Sequence, residues 1–148
     1  RPNVIRCWTP RTPLASVMTQ YSLIDRRPEE FTLDFLHEHK VGVIVRGAIA
    51  KGYLVGKPVM DLLGHSAAEI QQVTRRLIEL SQDTPYTPLH LAIGFTLAHS
   101  AATTVAMGAS KASQIIQSAQ LMHLPPFPHA LNVELAKLTR TFQYDSHR

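Results

Sequence analysis

Three stretches carry residue types at spacings that suit chemistry on an anionic, ring-bearing ligand. In Val105-Ala106-Met107-Gly108-Ala109-Ser110-Lys111 an apolar run ends, a glycine allows close main-chain approach, and a helical pattern begins. Free N–H groups and the positive end of the helix dipole suit a phosphate there. Ser110 adds a hydroxyl and Lys111 a point charge. The plainer reading of the same residues is a strand–turn–helix with Ser110 as its N-cap. A second stretch, Arg46-Gly47-Ala48-Ile49-Ala50-Lys51-Gly52, follows another apolar run. At the carboxyl end of a parallel strand an arginine can meet a ligand's phosphate or stack on a planar ring. It can equally pair with Asp25 or Asp34. The third stretch is Tyr21-Ser22-Leu23-Ile24-Asp25-Arg26-Arg27-Pro28-Glu29-Glu30. Tyr21 has no nearby lysine to lower its pKa, so it reads as a tyrosine at the sheet's mouth rather than as an acid. The Arg26-Arg27 and Glu29-Glu30 pairs read as an ion-pair cluster at a helix start.

These stretches need elements to hold them. The strand expectations are 16–21, 41–46 and 103–107. The second and third runs are nearly continuous in apolar or β-branched residues, as in strands buried on both faces. Helical periods fill the rest. One helix spans Pro2 to Trp8. Another starts at Pro28 with Glu29 and Glu30 in its first turn and continues to about Lys40. A capping box, Ser66-Ala67-Ala68-Glu69, precedes the stripe Ile70, Val73, Leu77 and Leu80. Asp83-Thr84-Pro85 ends that helix and Thr87-Pro88 opens the next, which runs to His99. A helix from Ser110 carries Ala112, Ile115, Ile116 and Ala119. Pro125, Pro126 and Pro128 break it, and a last helix holds Leu131, Leu135, Leu138 and Phe142. Strands alternating with helices imply right-handed crossovers and a parallel sheet, an α/β fold.

Composition narrows the function classes. The chain has 148 residues, is 45% hydrophobic and 18% charged, and holds one cysteine. That suffices for one packed domain and excludes a disulfide scaffold and a disordered chain. No apolar run approaches the ~18 residues of a membrane span, so no membrane partner is expected. The net charge of +4 comes without a basic stripe or interleaved aromatics, which argues against nucleic acid. His37-Glu38-His39 lacks zinc-ligand spacing and reads as a solvated helix end. Cys7 has no paired base beside it and reads as structural. A cytoplasmic location is the default. The opening Arg1-Pro2-Asn3 implies either processing or a piece of something longer, and a helix feeding the first parallel strand, with a sheet of only three strands and two unpaired edges, reads as the C-terminal part of a larger α/β domain entered midway.

Taken in order, the three stretches resemble the C-terminal half of the aldo-keto reductases. Tyr21 to Glu30 is similar to the pattern Y-N-L-L-D-R-R-P-E-E. Val41 to Lys57 is similar to a strand followed by S-P-L-A-x-G-x-L-x-G-K. Thr103 to Gln114 is similar to T-x-x-I-P-G-A-S-x-x-x-Q. The resemblance implies a partial (β/α)8 TIM barrel, about strands six to eight with their helices. The domain would span 1–148, with a C-terminal helix and tail over 125–148. It also implies NADPH-dependent reduction of small-molecule aldehydes or ketones. Arg46 would sit by the nicotinamide. Gly47, Ala48, Ile49 and Gly52 would line the pyrophosphate loop, with Lys57 further along. Gly108, Ser110, Lys111, Gln114, Gln117 and Ser118 would hold the adenosine and its 2′-phosphate. Several positions depart from the pattern. Gly47-Ala48-Ile49 replaces Ser-Pro-Leu, Met18 stands where many relatives have a glutamine, Met107 replaces the proline before Gly108, and Gln117-Ser118 replaces Glu-Asn. The family's Asp, Tyr, Lys and His tetrad belongs to the first four strands, and nothing in this chain matches it. The resemblance therefore implies the NADP-binding half of an oxidoreductase, inactive alone. A non-catalytic nucleotide-binding or regulatory subunit on the same fold is the alternative, and open sheet edges would permit self-association.

Overall fold

The computed structural model describes residues 1–123 and 125–146. The last two positions of the expected C-terminal tail, His147 and Arg148, lie outside the described residues, as does Leu124. The elements run α1 (Pro2–Trp8), β1 (Ser16–Gln20), a 3-10 turn (Arg27–Glu30), α2 (Thr32–Glu38), β2 (Gly42–Arg46) and a 3-10 segment (Ala50–Val55). There follow α3 (Ala67–Gln82), α4 (Pro88–Leu97), β3 (Ala102–Ala106), α5 (Ala112–Gln120), a short turn (Leu121–His123) and α6 (His129–Ala136). The strands form one parallel sheet in the order β1-β2-β3. Gln20 lies opposite Arg46, and Arg46 opposite Ala106, so the strand ends that precede the three chemical stretches share one edge of the sheet. No helix among the described residues is long and apolar enough to cross a membrane.

The apolar pattern explains the layering. Val43 and Val45 are fully buried and pack with Leu33 and Leu36 of α2 and Leu91 of α4 in one core. The alternate residues are not covered: Ile44 is half-buried, and Met18, Arg46 and Thr104 are exposed. The expectation of strands buried on both faces therefore holds for one face only. A strand's second face is covered by residues of other elements, and among the described residues none lies over it.

Several boundaries differ from their expectations for local reasons. The expected helix from Pro28 to Lys40 is broken at Phe31, whose φ of −159° is extended. Glu29 is held there by Tyr21 and both nitrogen arms of Arg26. The last helix stops at Ala136 instead of reaching Phe142. Arg26 Nη1 donates to the Ala136 and Thr139 carbonyls just past that end, and Phe142 packs edge-on against His65 at 4.6 Å. The Ser66–Glu69 capping box forms as read, and Thr87 caps α4 through His90.

Candidate functional site

Two loops build the site, and they are secured differently. The loop after β2 turns sharply: Ala50, Lys51 and Gly52 all have positive φ, at 46°, 61° and 96°. Non-glycine residues in that region are strained and persist only when their surroundings hold them. Here Tyr53 and Leu54 are buried, and the Thr74 hydroxyl of α3 lies 3.0 Å from the Tyr53 carbonyl. Glycine suits position 52 by its φ, and a substituent there would also displace the flexible Lys57 stem. A Cβ there would lie 2.5 Å from Cδ of Lys57, whose stem crosses it.

The loop after β3 is held by one side chain. Gln114 Oε1 accepts from the Ser110 N–H at 2.8 Å, the Ser110 hydroxyl at 3.3 Å and the Lys111 N–H at 3.3 Å. The helix begins at Ala112 with Lys111 as N-cap, which corrects the expected start at Ser110. The amides offered by the sequence to a phosphate thus form a small nest already holding a carboxamide oxygen.

Between the loops lies a cleft of about 550 Å³. Its walls include Ile49, Gly52 and Lys57 from the first loop, and Gly108, Ser110, Gln114, Gln117 and Ser118 from the second. A Cβ at Gly56 or Gly108 would meet nothing within 4 Å, so main chain at both faces open space. Among the described residues no carboxylate forms an ion pair with Lys57.

The other four expected site residues sit elsewhere. Ala48 is buried in the core. Gly47 packs its α-carbon against Gln20, where a Cβ would lie 3.3 Å from Cγ. Lys111 is exposed outside the cleft wall. Arg46 is exposed on the open face and pairs directly with neither Asp25 nor Asp34. Its Nη1 donates to Gln20 Oε1 at 2.9 Å, and Gln20 Nε2 donates to Asp25 Oδ2 at 2.9 Å. Asp25 itself is buried and held by Arg27 at 2.8 Å, and Asp34 faces His99 at 3.5 Å. The sequence reading missed Gln20. Its only signal was register, since the last residue of one parallel strand faces the last of the next.

Tyr21 is not at the mouth of the sheet. It is buried, its ring 5.8 Å from that of Phe95, and its hydroxyl donates to Glu29 at 2.8 Å. Burial, then the neighbouring Glu29 carboxylate, push its pKa well above the ordinary phenol value. No group of His, Cys, Asp and Glu among the described residues is arranged to hold a metal.

A cleft between the loops that follow adjacent parallel strands is the position where α/β barrels bind phosphate. Residues 5–138 match the model of the aldo/keto reductase family. The chain belongs to that family. It is 32% identical over 157 residues to the uncharacterized oxidoreductase YqkF of Bacillus subtilis (strain 168), covering all of this chain and 50% of that protein. It superimposes on the aldo-keto reductase AKR11C1 from Bacillus halodurans with TM-scores of 0.88 (apo) and 0.89 (holo) at 34% identity. The match takes in 100% of this chain and 51% or 49% of that one. A glycerol dehydrogenase, AKR11B4 from Gluconobacter oxydans, shares the fold at 16% identity and a TM-score of 0.77. The chain thus spans about half the length of its curated relative. Its three strands and their helices are part of an aldo-keto reductase (β/α)8 barrel, which explains the uncovered face of the sheet.

Proposed function

We propose that this chain is the cofactor-binding half of a cytoplasmic, NADP-dependent oxidoreductase that reduces small-molecule aldehydes or ketones. The observation that carries the reading is the convergence of the two loops on one cleft, with Lys57 folded over Gly52 and main chain open at Gly56 and Gly108. Those residues fit a dinucleotide. Bare main chain permits close approach of a pyrophosphate, and an amine without an acidic partner supplies the opposing charge.

In this reading Lys57 neutralises the pyrophosphate. The amides of Ser110 and Lys111 take an anionic oxygen once Gln114 turns away, since its carboxamide oxygen now fills that place. Lys111, beside the same nest, then faces a 2′-phosphate. Gln117 and Ser118 border the adenosine, although the Ser118 hydroxyl already donates to the Gln114 carbonyl at 2.8 Å. Gln20 holds Arg46 in place at the mouth of the sheet. When bound, the cofactor supplies the hydride. The proton donor belongs to the family's Asp, Tyr, Lys and His tetrad, which nothing in this chain matches. Tyr21 does not substitute, because its hydroxyl is committed to Glu29.

Fluorescence titration of the purified chain tests the reading. NADPH is expected to saturate, to bind tighter than NADH, and to weaken about tenfold in Lys57→Ala, the loss of one charge-assisted contact. Absence of saturation, or indifference to both Lys57→Ala and Lys111→Ala, would overturn it. Carbonyl-dependent NADPH oxidation by the chain alone is expected to stay at background.

A further inference from the structure

At the mouth of the sheet a positive charge is held in place without an acid to cancel it. β1 and β2 end side by side with Gln20 opposite Arg46, and the Tyr21 N–H bonds the Arg46 carbonyl at 3.2 Å. Arg46 Nη1 donates to Gln20 Oε1 at 2.9 Å, and Gln20 Nε2 donates to Asp25 Oδ2 at 2.9 Å. The carboxamide has one orientation here, because its oxygen faces a guanidinium, which only donates, and its nitrogen faces a carboxylate, which accepts. Its stem is fixed as well. Gly47 lies against it, and a Cβ at that position would come within 3.3 Å of Gln20 Cγ. Glycine, where the family pattern has serine, leaves room for Gln20.

Asp25 does not neutralise Arg46. It is 2% exposed and already engaged by Arg27, Nε to Oδ1 and Nη2 to Oδ2, both at 2.8 Å. A neutral carboxamide stands between it and Arg46. Among the described residues no carboxylate forms an ion pair with Arg46. The row Arg46, Gln20, Asp25 and Arg27 therefore carries a net positive charge, and its exposed end is Arg46. Gln20 takes only Nη1 of that guanidinium.

The consequence rests on the cofactor reading above, in which Arg46 meets the nicotinamide. The ring of NADP⁺ is positively charged and that of NADPH is neutral. A fixed guanidinium beside the ring costs the oxidised form Coulomb energy that the reduced form does not incur. We propose that Arg46, positioned by Gln20 and left without an acidic partner, makes the site select the reduced cofactor over the oxidised one. Gln20 is a positioning residue. It fixes where the charge sits, and by being an amide rather than an acid it leaves that charge unspent.

The test is fluorescence titration of the full chain with NADPH, and displacement of bound NADPH by NADP⁺, at low and high salt. NADP⁺ is expected to bind at least about fivefold more weakly than NADPH, the cost of two like charges in contact even in bulk water. The gap is expected to narrow at high salt. The two nucleotides share their phosphates, so those contacts cancel in the ratio. Arg46→Gln removes the charge and is expected to bring the two affinities together, whereas Arg46→Lys keeps the charge and the gap. Gln20→Glu sets a carboxylate against Arg46 and is expected to close the gap without a change at residue 46. Circular dichroism confirms that each variant is folded, and Arg46 is exposed, so its variants do not disturb the core. Equal affinities in the unsubstituted chain, a gap that persists in Arg46→Gln or Gln20→Glu, or a gap lost in Arg46→Lys would overturn the proposal and leave the cofactor reading standing. Failure of both nucleotides to bind would overturn that reading and this inference with it.

Discussion

Two helices of nearly equal length, α4 and α5, sit on either side of β3 in the chain and differ in what they bury. α4 buries Leu91, Ala92, Ile93, Phe95 and Thr96. α5 buries nothing, although its stripe of Ala112, Ile115, Ile116 and Ala119 reads as a core-facing surface. α4 is apolar around most of its circumference and packs on α3, β3 and α6. α5 contacts the turn that follows it, and its Gln114 stitches only the loop that precedes it. The cleft is therefore walled unequally. The loop after β2 is fastened to the packed body by Leu54 and Thr74, and the wall after β3 rests on an element with almost no packing. Local stability scales with buried apolar contact, so the cleft wall after β3 is the soft one.

That contrast can be broken or sharpened by substitution. The largest effect is expected from Leu91→Ala, which empties a fully buried site of α4 and costs about 2–5 kcal/mol. Urea denaturation measures it, and a cost below that of an exposed position would show that α4 is not the packed partner. Thr74→Val leaves the Tyr53 carbonyl buried without the hydroxyl that now reaches it. The Gly56 N–H still bonds that carbonyl, so a loss of about 0.5–1.5 kcal/mol is expected, and hydrogen exchange should rise in the loop of residues 47–57 while α5 stays unchanged.

A pH effect follows from His65. Its ring is buried against Phe142, and that burial holds its pKa below the ordinary imidazole value. The folded state keeps the ring neutral, whereas the unfolded chain takes up a proton near about pH 6.5. Stability is therefore full above that value and declines as pH falls below it. His90, also lowered by burial, contributes in the same direction. Melting temperatures from about pH 7 to about pH 5 should fall, and fall less in His65→Gln. A flat profile in the unsubstituted chain would contradict this. The smallest effect is expected from Ile116→Ala on α5, within about 0.5 kcal/mol of the unsubstituted chain. A loss comparable to that of Leu91→Ala would erase the contrast between the helices.

Much of the fold was legible because its signals are local. The Ser66–Glu69 box, Thr87-Pro88, and the valines of β2 each depend on neighbours within a turn or a strand, and each formed where it was read. The cleft was legible in part. Eight of the twelve expected cofactor residues line it, because strand-end loops in a parallel sheet must share one edge. Ala48, Gly47, Arg46 and Lys111 took other places for reasons no spacing shows. A neighbouring Gln20 claims Arg46, the core claims the Ala48 methyl, and Gln114 folds back over the helix start beside Lys111.

The amino-acid order alone determined the alternation of strands and helices, the parallel sheet and the loops that wall the cleft. These follow from periodicity, caps and turn residues, whose energies are set within a few positions. Tertiary structure decided which apolar stripes count as core. Ile115 and Leu91 have much the same water-avoiding character, yet one is exposed and the other enclosed, since burial requires a second surface and the residues that supply it lie far along the chain.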